Sequence, residues 1–171
     1  MKGFRQAFLA SFLLASGLLF FSCTASCDYE EHVSFQGEAW DIGDEPVFVF
    51  EIKDTSTPYA LGLNFRYTDT FPYQDIYLFL QTTFPDGSGS QDTLHCFLFE
   101  ADGKPLGKGR RVKELDVPYS LLRFPMPGKY TLRYTQGLRT DRLKGVASFG
   151  MSLKKTETDK QAFAHGKQKN G

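Results

Sequence analysis

Two apolar runs joined by a turn constrain the fold of this chain more than any other part of its sequence. Residues 76–84 (IYLFLQTTF) and 93–99 (TLHCFLF) are rich in β-branched and aromatic side chains, which favour strands. Residues 85–90 (PDGSGS) are typical turn formers, so the two runs are predicted to pair as antiparallel strands. Apolar residues fall on both faces of the first run, which predicts a central strand of a sheet.

The same patterns extend along the chain. Asp102-Gly103 is a hairpin signal and predicts a strand at residues 106–112, although two glycines weaken it. Residues 59–67 (YALGLNFRY) alternate with a period of two, as a half-buried antiparallel strand does. Residues 47–52 (VFVFEI) are apolar on both faces apart from one glutamate, which predicts an interior strand. Shorter strands are predicted at residues 32–37, 119–124 (alternatively a single turn), 130–134 and 146–153, and a polar connection at residues 113–118.

This count predicts the fold class. Eight or nine short strands at regular spacing, with no helix pattern after residue 27, indicate an all-β antiparallel β-sandwich, jelly-roll-like in form. One domain is predicted at residues 32–153, because 171 residues correspond to a single domain. Residues 154–171 are polar and aperiodic, which predicts a disordered tail.

The N-terminus predicts export and a lipid anchor. Two basic residues precede an almost wholly apolar run at residues 7–21, as in a secretory signal peptide, here residues 1–22. Cys23 follows the apolar run directly and is the predicted lipidated residue; Cys27, with small residues upstream, is the alternative. Diacylglycerol on the thiol and an N-acyl chain such as palmitate would together hold the chain on a membrane. Ordinary signal cleavage, leaving two thiols or a disulfide, is the remaining alternative, and residues 23–31 are predicted to form a tether.

Composition and motifs argue against several functions. Lys plus Arg equals Asp plus Glu at 20 each, so the charge expected of a nucleic-acid binder is absent. No zinc-protease, nucleophile-elbow or phosphate-loop motif is complete, and His95 and Cys96 would point to opposite faces of a strand. A non-enzymatic protein without a cofactor or metal is therefore predicted, with Cys96 as a buried apolar residue. Asp86, Asp92 and Asp102 are interpreted as turn residues rather than calcium ligands.

Two sets of side chains remain as candidates for binding. The first is a set of arginines that could gather on one surface, namely Arg110, Arg111, Arg133, Arg139 and Arg142. Arg139 and Arg142 are the predicted partner-docking residues, and an ordinary solvated face is the alternative. The second is aromatic: Trp40, Tyr59 and Tyr77 could stack on sugar rings, as in a lipid-anchored glycan- or ligand-binding module. Burial of these rings in the core is the alternative interpretation and would remove that basis.

The order of short motifs along the chain resembles a known family. Trp40 and the cysteine motif precede residues 72–80, Asp102-Gly103, residues 106–109, 127–130, 138–139 and 143–146 in a characteristic order. That order is similar to the gliding motility-associated lipoprotein family GldH of the Bacteroidetes, over residues 40–153. The resemblance implies a lipoprotein of the cell envelope, in the outer membrane, which acts with gliding and type IX secretion proteins. It implies no catalytic residue.

Overall fold

The computed structural model describes residues 28–156, which form ten strands and one 3-10 turn, Gln36–Glu38. The strands are β1 Tyr29–Ser34, β2 Ala39–Asp41, β3 Val47–Ile52, β4 Tyr59–Thr68, β5 Asp75–Thr83, β6 Gly89–Phe97, β7 Val112–Leu122, β8 Gly128–Gln136, β9 Arg142–Lys144 and β10 Val146–Lys155. The all-β prediction is confirmed. Two of the ten strands, β2 and β9, are only three residues long and were not predicted.

The strands form two four-stranded antiparallel sheets and one short pair. The front sheet has the order β1-β10-β4-β7, the back sheet has the order β3-β8-β5-β6, and β2 pairs with β9. When β2 and β9 are set aside, the two orders are those of the two interleaved Greek keys of a jelly roll. Each sheet buries one face in a shared core, so the predicted sandwich is confirmed.

Alternation along the strands builds that core. In β4, Tyr59, Leu61, Leu63, Phe65 and Tyr67 all point inward and are buried, as the period of two predicts. Rings from both sheets meet at Phe149, a fully buried residue of β10. Its ring contacts those of Trp40, Phe48, Phe65 and Tyr134. Each such ring stabilises the fold by about 1.5–3 kcal/mol through burial.

The back sheet differs from its prediction in two ways. β5 is flanked by β8 and β6, so the predicted central position is confirmed, but its second apolar face is open to solvent. β3 was predicted to be interior and is an edge strand, with Val49 and Glu51 exposed. Periodicity cannot distinguish an apolar side chain that is covered by another layer from one that faces water.

The segment after β6 also corrects the sequence analysis. Residues 106–111 form no strand, and the loop around them makes two isolated bridges, Phe99 to Pro105 and Lys108 to Glu114. The strand is β7, which includes the predicted polar connection: Glu114 and Asp116 are exposed, whereas Leu115 and Val117 between them face the core. The buried Tyr67 hydroxyl holds the loop in place: it donates to the Leu98 carbonyl at 2.5 Å and accepts from the Gly107 amide at 2.9 Å.

Both predicted domain boundaries fall inside strands. β1 starts at Tyr29, paired with Leu153, and β10 continues to Lys155. Glu30 and Glu31, assigned to the tether, are exposed on the edge strand β1, where charge discourages pairing with another sheet. The predicted signal peptide, Cys23, Cys27 and the tail from residue 157 lie outside the described residues. Among residues 28–156, no helix has the length and apolar character needed to cross a bilayer.

Candidate functional site

The loops at one end of the sandwich carry the predicted docking arginines. Because strand directions alternate, residue 28 and the ends of β3, β5, β7 and β10 lie at one end, here called the anchor end. The opposite end comprises the 3-10 turn, the β2–β9 pair and the loop between β8 and β9, and is here called the arginine rim. Arg139 lies in that loop and Arg142 begins β9.

Trp40 fixes the arginine rim to the core. Its ring is fully buried and stacks on Phe35 at a centroid distance of 4.7 Å. Its Nε1 donates to the Asp44 carbonyl at 2.6 Å, which closes the loop after β2. Burial confirms Trp40 as a core residue and excludes it as a platform for a ligand, and Tyr59 is buried as well.

Arg142 is held by the strand opposite it. In the β2–β9 register Arg142 lies across from Asp41, and its Nη1 donates to both carboxylate oxygens, at 3.0 and 2.7 Å. This pair lines a cleft of about 550 Å³ that also contains Asp44 and Glu45. Both partners are exposed, and exposed pairs contribute only about 0–1 kcal/mol, so a binding partner can replace one of them at little cost.

The arginines that sequence grouped together have different surroundings. Arg111 pairs with Glu38 at 2.6 Å, and Arg133 pairs with Glu45 at 2.8 Å. Arg139 is exposed and makes no ion pair with any residue of the described chain. The rim therefore combines arginines that are paired with acids and two exposed cations, Arg139 and Lys144, that make no ion pair among residues 28–156.

The remaining candidates for chemistry are not assembled into a site. Cys96 is buried, and burial raises the pKa of its thiol to about 12, whereas His95 lies on the opposite face of β6. Asp86 and Asp102 accept hydrogen bonds from the backbone two residues later and are turn residues, as predicted. Asp92 is not a turn residue, since it lies within β6 opposite Leu80. No group of three metal-binding side chains is present in residues 28–156.

Comparison with known proteins decides the family. Residues 28–153 match the family model described as GldH lipoprotein. The chain belongs to the GldH lipoprotein family. The matched segment coincides with the folded domain from just before β1 to near the end of β10, so the family signature is the jelly roll itself.

Two relatives cover nearly the same length as this GldH-family chain. "Gliding motility lipoprotein GldH" of Flavobacterium johnsoniae is 26% identical over 154 residues, 85% of this chain and 95% of the relative. "Gliding motility lipoprotein GldH homolog" of Christiangramia forsetii is 26% identical over 162 residues, which are 90% of this chain and 99% of the relative. Among solved structures, a chain from the infectious bursal virus-derived T=1 particles is 11% identical. The alignment covers 76% of this chain and 33% of the viral chain, and its TM-score of 0.25 is too low to bear on function.

The GldH-family domain also carries a surface that the sequence analysis identified only in part. Tyr77, one of the three rings considered for sugar stacking, projects outward from β5 with 40% of its surface exposed, and Phe79, which was not singled out, lies beside it with 53% exposed. The sequence did contain an indication that this row is exposed. Gln81 and Thr83 follow Phe79 in the same outward row, and a row that continues with polar residues is seldom covered by a second layer.

Proposed function

We propose that this protein is a lipid-anchored, non-enzymatic component of the gliding motility machinery, in the outer membrane and linked to type IX secretion. It acts through protein–protein contacts made by the arginine rim. The observation that carries the docking surface is Arg139, an exposed cation without an ion-pair partner among residues 28–156, next to exchangeable pairs such as Arg142–Asp41. The names of the two relatives support the role in gliding.

The distance between anchor and domain supports the orientation of this surface. Residue 28 is only five positions after Cys23, a reach of at most about 18 Å, and Cys27 is adjacent to it. The anchor end would therefore lie close to the bilayer, whichever cysteine carries the lipid. Strands of ten residues, such as β4, span about 33 Å, so the arginine rim would face away from the membrane, towards other proteins.

The interior of the domain supports a function without catalysis. The one described thiol, that of Cys96, is buried and stays protonated at neutral pH. Its neighbour along the chain, His95, faces solvent and bonds Asp75 at 2.6 Å, so the two cannot act as nucleophile and base. Apart from the covalent lipid, the proposal requires no cofactor.

Deletion of the gene followed by complementation tests this proposal. The measurements are colony spreading, secretion of type IX cargo and co-purification of envelope proteins. Wild-type protein is expected to restore all three. Arg139→Glu should fold normally and weaken partner binding about tenfold, because a charge at an interface rim acts mainly on encounter and specificity. Loss of the lipidated cysteine, Cys23→Ala or Cys27→Ala, should abolish spreading together with membrane retention.

Arg123→Glu is the matched control. Arg123 is likewise exposed and makes no ion pair in the described part of the chain, but it lies at the anchor end, beyond β7. It should co-purify the same proteins as the wild type. Normal spreading and secretion in the deletion strain would refute the role in gliding, whereas unchanged co-purification by Arg139→Glu would refute only the docking surface.

A further inference from the structure

The outward face of the back sheet exposes aromatic rings that the core does not use. Most of the large aromatic side chains of the domain are buried, yet Tyr77 and Phe79 stand in one row of β5 with about half of their surface in water. They lie in the middle of the sheet, between β8 and β6, rather than at a loop. Exposed rings at the centre of a sheet face indicate a binding surface more than incomplete burial.

Neighbouring residues hold both rings in place. Tyr77 stacks face to face on His95 of β6, with centroids 4.2 Å apart and planes 3° apart. The His95 ring is fixed in turn by a 2.6 Å contact between its Nε2 and the Asp75 carboxylate. Phe79 packs beside Gly137, where an added Cβ would lie 3.2 Å from the ring. Rings that are already ordered lose little entropy when a ligand binds.

Neutral polar side chains surround Phe79. Thr93 and Thr135 lie opposite it on its two neighbouring strands, and Gln81 follows it in the outward row, across from Gln91. Together these residues line a shallow depression of about 440 Å³. No side chain among these two threonines and two glutamines hydrogen-bonds a protein group within residues 28–156, so their hydroxyls and amides remain available.

Charge narrows the class of ligand. The nearest cation on this face, Arg133, is paired with Glu45, and His95 is paired with Asp75. The one ionisable residue that lines the depression is Asp92, at the sheet edge, where its carboxylate belongs to the opposite face of β6 and adds negative rather than positive charge near the site. The exposed apolar area around Phe79 is limited to Tyr77 and the half-buried Phe97, since the exposed Val49 is two strands away. This apolar area is much smaller than the area that a stable protein–protein interface buries.

We infer that this depression binds a neutral oligosaccharide. A pyranose ring has an apolar C–H face and a rim of hydroxyl groups, which match one exposed aromatic ring within a frame of amides and hydroxyls. One sugar ring lies on Phe79, and its hydroxyls bond Gln81, Gln91 and Thr93. The site is independent of the arginine rim and does not use Trp40 or Tyr59, which are buried.

Binding of defined sugars tests the inference. The purified full-length lipoprotein, kept in a detergent without a sugar headgroup, is titrated calorimetrically with neutral hexasaccharides of glucose, mannose, xylose and N-acetylglucosamine. At least one of them should bind with a Kd near or below about 1 mM. Phe79→Ala should raise that Kd at least tenfold and Gln91→Ala about threefold to tenfold. Phe79→Tyr, which keeps the ring, should bind as well as the wild type.

Val49→Ala is the matched control, since it removes an exposed apolar side chain from the same sheet face outside the depression. Val49→Ala should bind sugar as the wild type does, and the melting temperatures of all variants should stay within about 4 °C of that of the wild type. The inference is overturned if none of the four sugars binds at 5 mM, or if Phe79→Ala binds as tightly as the wild type. Loss of a co-purifying protein in Phe79→Ala, without sugar binding by the wild type, would assign the face to a protein instead.

Discussion

The two sheets of the sandwich share one core, but their outward faces are built differently. On the front sheet, one row crosses all four strands: His32, Gly150, Asn64 and Asp116 lie side by side in register. Asn64 donates to the Asp116 carboxylate at 2.7 Å, and Gly150 leaves space for the His32 ring. On the back sheet the corresponding central row is Thr135, Phe79 and Thr93, with the aromatic ring uncovered.

The difference shows which face is complete without a partner. Small residues and the Asn64–Asp116 hydrogen bond let the front sheet cover its own backbone, although the buried Oδ1 of Asn64 has no hydrogen-bond partner among residues 28–156. The back sheet leaves aromatic rings in water, and covering their apolar surface with a ligand is favourable. The sheet closed by its own side chains is structural, and the sheet left open is the better candidate for recognition.

The largest effect is expected when one aromatic ring is removed from the core and, in a second variant, one from the exposed face of the back sheet. Phe149→Ala deletes a fully buried ring of β10 in contact with four others and should lower the free energy of unfolding by about 3–5 kcal/mol. Phe79→Ala deletes an exposed ring of β5 and should cost less than about 1 kcal/mol. Equilibrium unfolding in urea measures both values. Equal losses would show that Phe79 is part of the core and not of a binding face.

How far the sequence predicted these faces depends on the pattern in each strand. In β4, strict alternation of large apolar with small or polar residues identified the buried row, Tyr59 to Tyr67, correctly. β5 carries apolar residues on both faces, and a pattern of that kind is the same whether the outer ring meets a second layer or water. β7 was predicted only at its end, residues 119–122, because Glu114 and Asp116 make its outward row polar and Pro118 is uncommon inside a strand.

The candidate sites were less predictable than the fold. Arg139 and Arg142 were singled out by charge alone, but only the three-residue pairing of β2 with β9 sets Asp41 opposite Arg142 and leaves Arg139 open. Such short pairs carry no periodicity. The depression around Phe79 joins β5, β6 and β8, which are separated by up to 58 residues in the chain, and only their register brings Thr135 beside Phe79.

A second, smaller test concerns the close packing of the front face. An added Cβ at Gly150 would lie 2.1 Å from Nδ1 of His32, so Gly150→Ala must displace the imidazole. We expect a loss of about 1–3 kcal/mol in the free energy of unfolding. His32→Ala in the same chain should restore most of it, since the obstacle is then absent. Gly43→Ala, where no atom lies within 4 Å, is the control and should be close to neutral.

A double-mutant cycle over His32 and Gly150 separates crowding from a general intolerance of β10 to side chains. If Gly150→Ala lowers the free energy of unfolding by the same amount with and without the His32 ring, close packing of His32 against Gly150 does not cover the front face. The contrast with the back face would then lose its structural basis, although the exposed aromatic rings would remain.

The smallest expected effect concerns the inner side of the open sheet, where β6 turns His95 to solvent and Cys96 to the core. Burial raises the pKa of the Cys96 thiol to about 12, above the value near 8.5 of an unfolded chain. A raised folded pKa gives stability that is complete below the unfolded pKa and is lost as pH rises towards the folded one. Between pH 8.5 and 10 the wild type should therefore lose about 1–2 kcal/mol more than Cys96→Ala, which has no thiol to ionise. Unfolding in urea at several pH values measures how the free energy of unfolding of each protein changes with pH. If the two proteins change in parallel, solvent reaches the Cys96 thiol through the back sheet. The outer face of that sheet and the core beneath it would then not be separate environments.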